Sequence, residues 1–146
     1  MDVHHAATRG DAAIQKELHH AALLEGRAVD GEPLPTAVLV ADDAELGVRG
    51  FLTIHLPARD ADLPPGVAEV AALYVHPQRW RSGTGAALLA AGLARAAAAG
   101  ATAAVLWVLT ENLDARGFYA RQGFAPDGWS RAHVGVEELR LRRGTL

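Results

Sequence analysis

Between Val67 and Val108 the chain reads as a strand, a glycine-bearing loop (Arg79-Trp80-Arg81-Ser82-Gly83-Thr84-Gly85), an alanine-rich helix and a second strand. No other stretch constrains the fold as tightly. A right-handed crossover through the helix returns Ala103 to Leu109 parallel to Val67 to Val75 and leaves the loop at the carboxyl end of the first strand, where ligands bind in such units. Gly83 and Gly85 lack Cβ, so the backbone there can approach a ligand closely, and the first helical amides have no intrahelical acceptor. A phosphate or pyrophosphate is the natural guest, helped by about 0.3–1 kcal/mol of helix dipole per contact. Arg79 and Arg81 can add charge-assisted hydrogen bonds. A glycine turn capping an ordinary helix is the alternative.

With 146 residues the chain suits one domain, 1–146, large enough to form a core without staples. It has no cysteine, which excludes disulfides, thiolate zinc sites and a cysteine nucleophile. The amino terminus is polar, and Arg95 and Gly100 interrupt the longest apolar runs well short of a membrane span. The expectation is a soluble, cytoplasmic protein with no membrane partner. A formal charge of −3 gives no basic footprint for nucleic acid, although three arginines follow from position 140 onward. Lys16 is the single lysine among many arginines and alanines, a coding bias rather than a function.

His4 to Thr8 reads as a short first strand, and Asp11 opens a helix with apolar Ile14, Leu18, Ala21 and Ala22 at helical spacing, ending near Gly26. An irregular connection through Pro33 and Pro35 leads to strands Thr36 to Ala41 and Val48 to Leu56, an antiparallel hairpin turning through Asp42, Asp43 and Gly47. Pro64-Pro65-Gly66 precedes strand Val67 to Val75, which His76-Pro77 ends. Helix Gly83 to Ala99 stops at Gly100, and its small residues permit close docking on a sheet. After strand Ala103 to Leu109, a short helix spans about Leu113 to Gln122 and closes at Gly123. Phe124 to Pro126 and Val136 to Leu141 form a last strand pair around Asp127-Gly128. The fold class is α/β (α+β): a mixed, mostly antiparallel sheet with a central parallel pair, flanked by helices.

A nicotinamide-binding Gly-x-Gly-x-x-Gly fails here, because Leu88 holds the third position and seven residues separate Val75 from Gly83; Glu111 only imitates the ribose-binding acid. A P-loop needs a lysine after its last glycine, and none follows. Two other features are ordered along the chain. Leu73-Tyr74-Val75-His76-Pro77 leads to Gly83-Thr84-Gly85, and Asn112, Ala115, Phe118, Tyr119, Gly123 and Phe124 fit Asn-x-x-Ala-x-x-Phe-Tyr-x-x-x-Gly-Phe. Together they resemble the GNAT-type N-acetyltransferases, which use acyl-coenzyme A. Trp80 departs from the pattern by standing where the loop usually carries Gln or Arg. That loss touches a side chain and leaves the backbone cradle, the amides of Arg81, Ser82, Gly83, Thr84, Gly85 and Ala86, to hold phosphate. The resemblance covers most of the chain and is weakest from Gly26 to Pro35.

The resemblance implies that the parallel strands splay, freeing backbone groups of Leu73 and Val75 for the pantetheine amides, with a Leu73 amide also placed to stabilise an oxyanion. Glu69 then takes the general-base position. Its strand neighbours are apolar, so burial would raise its pKa and suit it to accept an amine proton, directly or through water; an idle glutamate at the strand's start is the alternative. Tyr119 takes the position of the general acid that protonates the departing thiolate, unless it and Phe118 only pack the short helix. Asn112 is placed to bond the pantetheine arm or to cap the helix. Arg116, one turn on, is an unspecific partner for the ribose phosphate.

The histidine pairs at positions 4–5 and 19–20 have no metal-ligand spacing, and neither Ser82 nor Ser130 lies in a Gly-x-Ser-x-Gly elbow. Direct transfer without an acyl-enzyme and without a metal is left. The expected activity is acetyl transfer from acetyl-CoA to a primary amine, on a small molecule or peptide, in a ternary complex. The acceptor would be selected by the helix after Asp11, the connection through Pro35 and a loop from Gly128 to Val134. Glu25, Glu32 and Glu111 suit a cation or merely solvate the surface. Alternatives are a non-catalytic acyl-CoA-binding or sensing domain and a nucleotide-binding regulatory protein. The resemblance leaves a homodimer open.

Overall fold

The computed structural model describes residues 3–5 and 36–146. The helix expected after Asp11 and the connection through Pro35 lie outside them. Strands β1 (Val3–His5), β2 (Thr36–Asp43), β3 (Gly47–His55), β4 (Val67–Val75), β5 (Ala103–Leu109), β6 (Ala125–His133) and β7 (Val136–Arg143) join in one sheet. Their order is β1-β2-β3-β4-β5-β7-β6. Only β4 and β5 run parallel among these strands, joined by helix α1 (Thr84–Ala98); helix α2 (Leu113–Arg121) links β5 to β6.

In α1, Leu88, Leu89, Gly92, Leu93 and Ala96 recur at helical spacing and are buried. They share the main core with Leu39, Leu52, Ile54, Ala68, Val70 and Leu106. Docking is close because Gly92 has no side chain: a Cβ there would stand 2.5 Å from Leu52 Cδ2. The helix ends in a left-handed glycine cap. Gly100 has φ 103°, and Gly100 and Ala101 return their amides to the carbonyls of Ala97 and Ala96.

The ladder between β4 and β5 covers only Val67↔Ala103 to Val70↔Leu106, although both strands continue. The cause is local. Across β3, Thr53 opposes Ala72 and Ile54 opposes Val70, so Ala71 is an extra residue, and such a bulge bends its strand. Beyond it β4 stays with β3, while Trp107 to Leu109 of β5 stay with β7, and a gap opens between the parallel strands. The expected splay is therefore present.

The last hairpin corrects the sequence reading. The turn falls at Val134-Gly135, with φ of 50° and 78°, the two positive values a two-residue hairpin turn favours. Asp127, Gly128 and Trp129 bulge out of β6 between the pairs Pro126↔Leu141 and Ser130↔Leu139. The stretch expected as a loop from Gly128 is thus strand up to His133.

Candidate active site

A cleft of about 920 Å³ opens where β4 and β5 diverge, between the start of α1 and one face of α2. On the first side, a 3-10 turn (Pro77–Arg79) follows β4, Arg81 and Gly83 adopt φ of 60° and 87°, and α1 begins at Thr84. No side chain caps α1, no acid lies in its first turn, and the first amide bond to Gly83 O comes from Ala87. The amides of Thr84, Gly85 and Ala86 therefore have no partner within the helix, and Gly83, Gly85 and Ala86 line the cleft. Gly85 also keeps the two walls close: a Cβ on it would stand 3.4 Å from Phe118 Cζ.

Ser82 and Thr84, whose backbone amides are expected at the phosphates, are not among the lining residues. They brace the loop, with their hydroxyl oxygens 2.8 Å apart and Ser82 Oγ donating to the carbonyl of Arg79. Arg79, which also lines the cleft, already has its guanidinium in an ion pair. Its Nε donates to Asp43 Oδ2 at 2.6 Å, and Arg49 adds a second cation at 3.2 Å. Arg79 foremost, then the Leu46 amide, holds the Asp43 carboxyl far below the usual range against the opposing pull of burial. Arg81 lines the cleft with no ion pair or hydrogen bond among the described residues.

His76 donates its amide to Arg49 of the β3 side at 2.7 Å, so by alternation Leu73 and Val75 turn their backbone groups toward the gap. The Val75 carbonyl is not free, contrary to expectation. Trp80 Nε1 donates to it at 2.8 Å, although the indole is 65% exposed.

The other wall is α2. Asn112 accepts the Ala115 amide at Oδ1, 3.1 Å, as a helix cap, and lines the cleft as well. Gly123, with φ 89°, closes α2 as Gly100 closes α1, and Phe124 returns its amide to Tyr119. The same cap sets the Tyr119 ring edge-on to buried Phe124, centroids 6.0 Å apart, and the Phe118 ring also meets it edge-on at 5.1 Å. Tyr119 lines the cleft, and burial pushes its phenol above its ordinary value, so it stays protonated at neutral pH. Arg116 does not face the cleft; its Nη1 donates to the Thr110 carbonyl at 2.9 Å. Arg121 takes that place. The helical wheel could have found it: at about 100° per residue, Arg121 lies some 60° from Phe118 and Arg116 some 160° away.

Glu69 departs furthest from the sequence reading. It is buried, at 2% exposure, on the sheet face opposite Ala68 and Val70, and it is not among the residues lining the cleft. Arg59 holds it with Nε at 3.0 Å, Nη2 at 2.7 Å and its own amide at 3.0 Å. Burial pulls its pKa upward, but the Arg59 hydrogen bonds and charge together outweigh burial, so the pKa is lowered and not raised. On the same side Arg140, almost wholly buried, pairs with Asp60, Asp62 and Asp127 at 2.6–2.9 Å. Asp60 also accepts Trp107 Nε1 at 3.1 Å. The β3–β4 connection is therefore tied down at Arg59, Asp60 and Asp62. Sequence spacing carries no signal for these pairs, up to 80 residues apart.

Among the described residues no three or more His, Cys, Asp or Glu side chains gather to hold a metal, and no helix is long and apolar enough to cross a membrane.

Residues 6–124 match the sequence model of the acetyltransferase (GNAT) family. A mycothiol acetyltransferase of Clavibacter michiganensis subsp. michiganensis is 38% identical over 90 residues, 62% of this chain and 27% of that protein. The chain thus spans about a quarter of the length of that curated relative. Nourseothricin acetyltransferase superposes with a TM-score of 0.64 over 82% of this chain and 75% of its own, at 22% identity. The PaiA N-acetyltransferase of Thermoplasma acidophilum, solved with coenzyme A, gives 0.61 over 87% and 67%, at 19% identity. At those identities the likeness is one of fold.

Proposed function

Since the chain belongs to the GNAT acetyltransferase family, we propose that it moves the acetyl group of acetyl-CoA to a primary amine, by direct attack in a ternary complex. The observation that carries this reading is the uncapped start of α1 beside a gap in the sheet: unpaired amides for a pyrophosphate, and next to them strand edges that the β4–β5 ladder leaves open for an amide-bearing arm. These residues fit coenzyme A. The amides from Arg81 to Ala86 and the Arg81 guanidinium would hold its phosphates, the Leu73 backbone and Asn112 Nδ2 would meet the pantetheine arm, and Arg121 lies on the facing wall. Acetyl-CoA supplies the activated thioester.

The chain's own part is to position and to move protons. The Leu73 amide, turned to the gap, is the donor for developing negative charge on the acyl oxygen. Tyr119 Oη holds the proton that the departing sulfur requires, in a site where burial keeps the phenol neutral. A lysine-like acceptor, with a pKa near ~10.4, must shed a proton first. Glu69, ion-paired and lowered in pKa, is a poor base, and in this reading it positions the β3–β4 connection while the amine loses its proton to water at the open cleft. The Arg59 pairing is also what favours the second reading, a domain that binds acyl-CoA without chemistry.

Thermal unfolding with acetyl-CoA, coenzyme A, NAD and ATP tests the cofactor. A ligand at one hundred times its Kd adds about 2.7 kcal/mol, or roughly 5–10 °C in a domain this size. Shifts with both coenzyme A species alone are expected; a larger shift with NAD or ATP overturns the reading. Tyr119→Phe then separates enzyme from binder. It should lower kcat on an amine acceptor by about 10²-fold or more, the usual range for a lost general acid, with coenzyme A affinity unchanged. An unchanged kcat removes Tyr119 from the chemistry.

A further inference from the structure

The Trp80 indole is out of keeping with its surroundings. A large apolar ring 65% exposed packs little surface, yet its one polar atom is spent on a backbone carbonyl at 2.8 Å. That carbonyl is no ordinary one. Tyr74 O turns toward β3, where a Cβ on Gly50 would meet it at 2.5 Å, so Val75 O turns the other way, into the gap. The β4–β5 ladder has already ended at Val70, and no strand amide reaches this edge. Trp80 itself lines the cleft, and the 3-10 turn between Val75 and Trp80 is short enough to bring the side chain back onto the strand that precedes it.

We propose that Trp80 is an internal competitor for the pantetheine arm: its indole N–H takes one lone pair of the Val75 carbonyl and its ring stands on the cleft side of that oxygen, so the indole must swing out for an amide of the arm to bond there. The inference rests on the coenzyme A reading above. It assigns to this chain's unusual loop residue control over one half of the coenzyme only. The phosphate cradle is built from backbone amides of the loop and α1, while the indole spends its N–H on Val75, so the nucleotide half should bind without regard to the indole. The arm should bind more weakly than an open gap would allow, by the worth of one net hydrogen bond, about two- to tenfold in Kd. Because the ring is exposed, its release exposes little new surface and the competition remains reversible.

Titration calorimetry on the native protein and on Trp80→Phe, which keeps a ring but removes the N–H, tests this. Two ligands are compared: coenzyme A, and its nucleotide half lacking pantetheine. Trp80→Phe should tighten coenzyme A two- to tenfold and leave the nucleotide half unchanged, which also shows that the variant keeps its loop folded. Equal or weaker coenzyme A binding, with the nucleotide half unaffected, overturns the competition and makes Trp80 a wall of the cleft. A parallel change in both ligands overturns it too, since the effect would then sit in the cradle. If neither ligand binds the native protein, the coenzyme A reading itself has failed.

Discussion

Replacing Arg59 with methionine should invert the way Glu69 responds to pH. Arg59 supplies three bonds to this carboxylate, of which the main-chain one at 3.0 Å survives the substitution. The two guanidinium bonds, at 3.0 and 2.7 Å, and the positive charge are lost. Severing a fully buried pair costs about 3–5 kcal/mol, but the Arg59 side chain is 64% exposed and already screened by water. A loss of about 2 kcal/mol at neutral pH follows, or roughly 4–8 °C in Tm. In the native protein the Glu69 pKa is depressed, so its pairing stabilises above the unfolded glutamate value near ~4.3 and fades as pH falls through the lower folded value. In Arg59→Met, burial, the largest influence on this carboxyl, is opposed by the surviving main-chain bond and the His55 charge but no longer by the guanidinium, and it drives the carboxyl upward. The charge then destabilises increasingly as pH rises past ~4.3, and below that value it contributes nothing. Circular-dichroism melts at matched ionic strength from neutral pH downward should therefore show a wide Tm gap that narrows through ~4.3 and disappears in stronger acid. A gap of the same width throughout would refute the argument, because the loss would then be one of packing by the arginine stem and not of charge.

Two further substitutions probe the cradle and the core. Arg81→Ala removes a cation that lines the cleft without a partner among the described residues, and should weaken coenzyme A by about 1.5–3 kcal/mol in low salt and less as salt rises; calorimetry at two ionic strengths reads both, and a salt-independent loss counts against a phosphate contact. Gly92→Ala puts a Cβ 2.5 Å from Leu52 Cδ2 in the core, an overpacking cost of about 1–3 kcal/mol that the better helix propensity of alanine offsets by at most ~1. A lower Tm is expected, and a rise would mean that α1 rides higher on the sheet.

What was legible in the sequence was what neighbours along the chain determine. Strands Val67–Val75 and Ala103–Leu109 have the bounds that their apolar runs indicate, because His76-Pro77 stops one and glycine at 100 introduces the other. Gly100 and Gly123 were readable as helix ends, since a left-handed cap is a local device. Asp127-Gly128 misled because an Asp-Gly pair suits a bulge with positive φ as well as a turn, while the real turn puts a β-branched Val134 at φ 50°, against its preference. The site was half legible. Loop and helix cap follow from spacing and the tyrosine only from the family resemblance, but the states of Glu69, Arg79 and Val75 O were set by Arg59, Asp43 and Trp80, and which partner reaches which group depends on strand order and loop path.

The gap itself comes from one residue with no signature of its own. Ala71 sits in a run of small apolar residues and nothing in its identity marks a bulge, yet the extra position there turns β4 from its parallel neighbour. A sheet opened in this way must dispose of backbone groups that a continuous ladder would have paired, since each buried and unpaired one is costly. Side chains take up part of that burden on both sides of the opening: Trp80 bonds the last carbonyl of β4, and Arg116 bonds the Thr110 carbonyl just past β5. The two contacts differ in what a ligand can do with them. Arg116 lies on the face of α2 turned away from the cleft and has no reason to move, whereas the Trp80 contact stands in the cleft, where an amide reaching Val75 competes with it. The sequence position at which this loop departs from its family's pattern is thus also the position at which the opening can be closed and reopened.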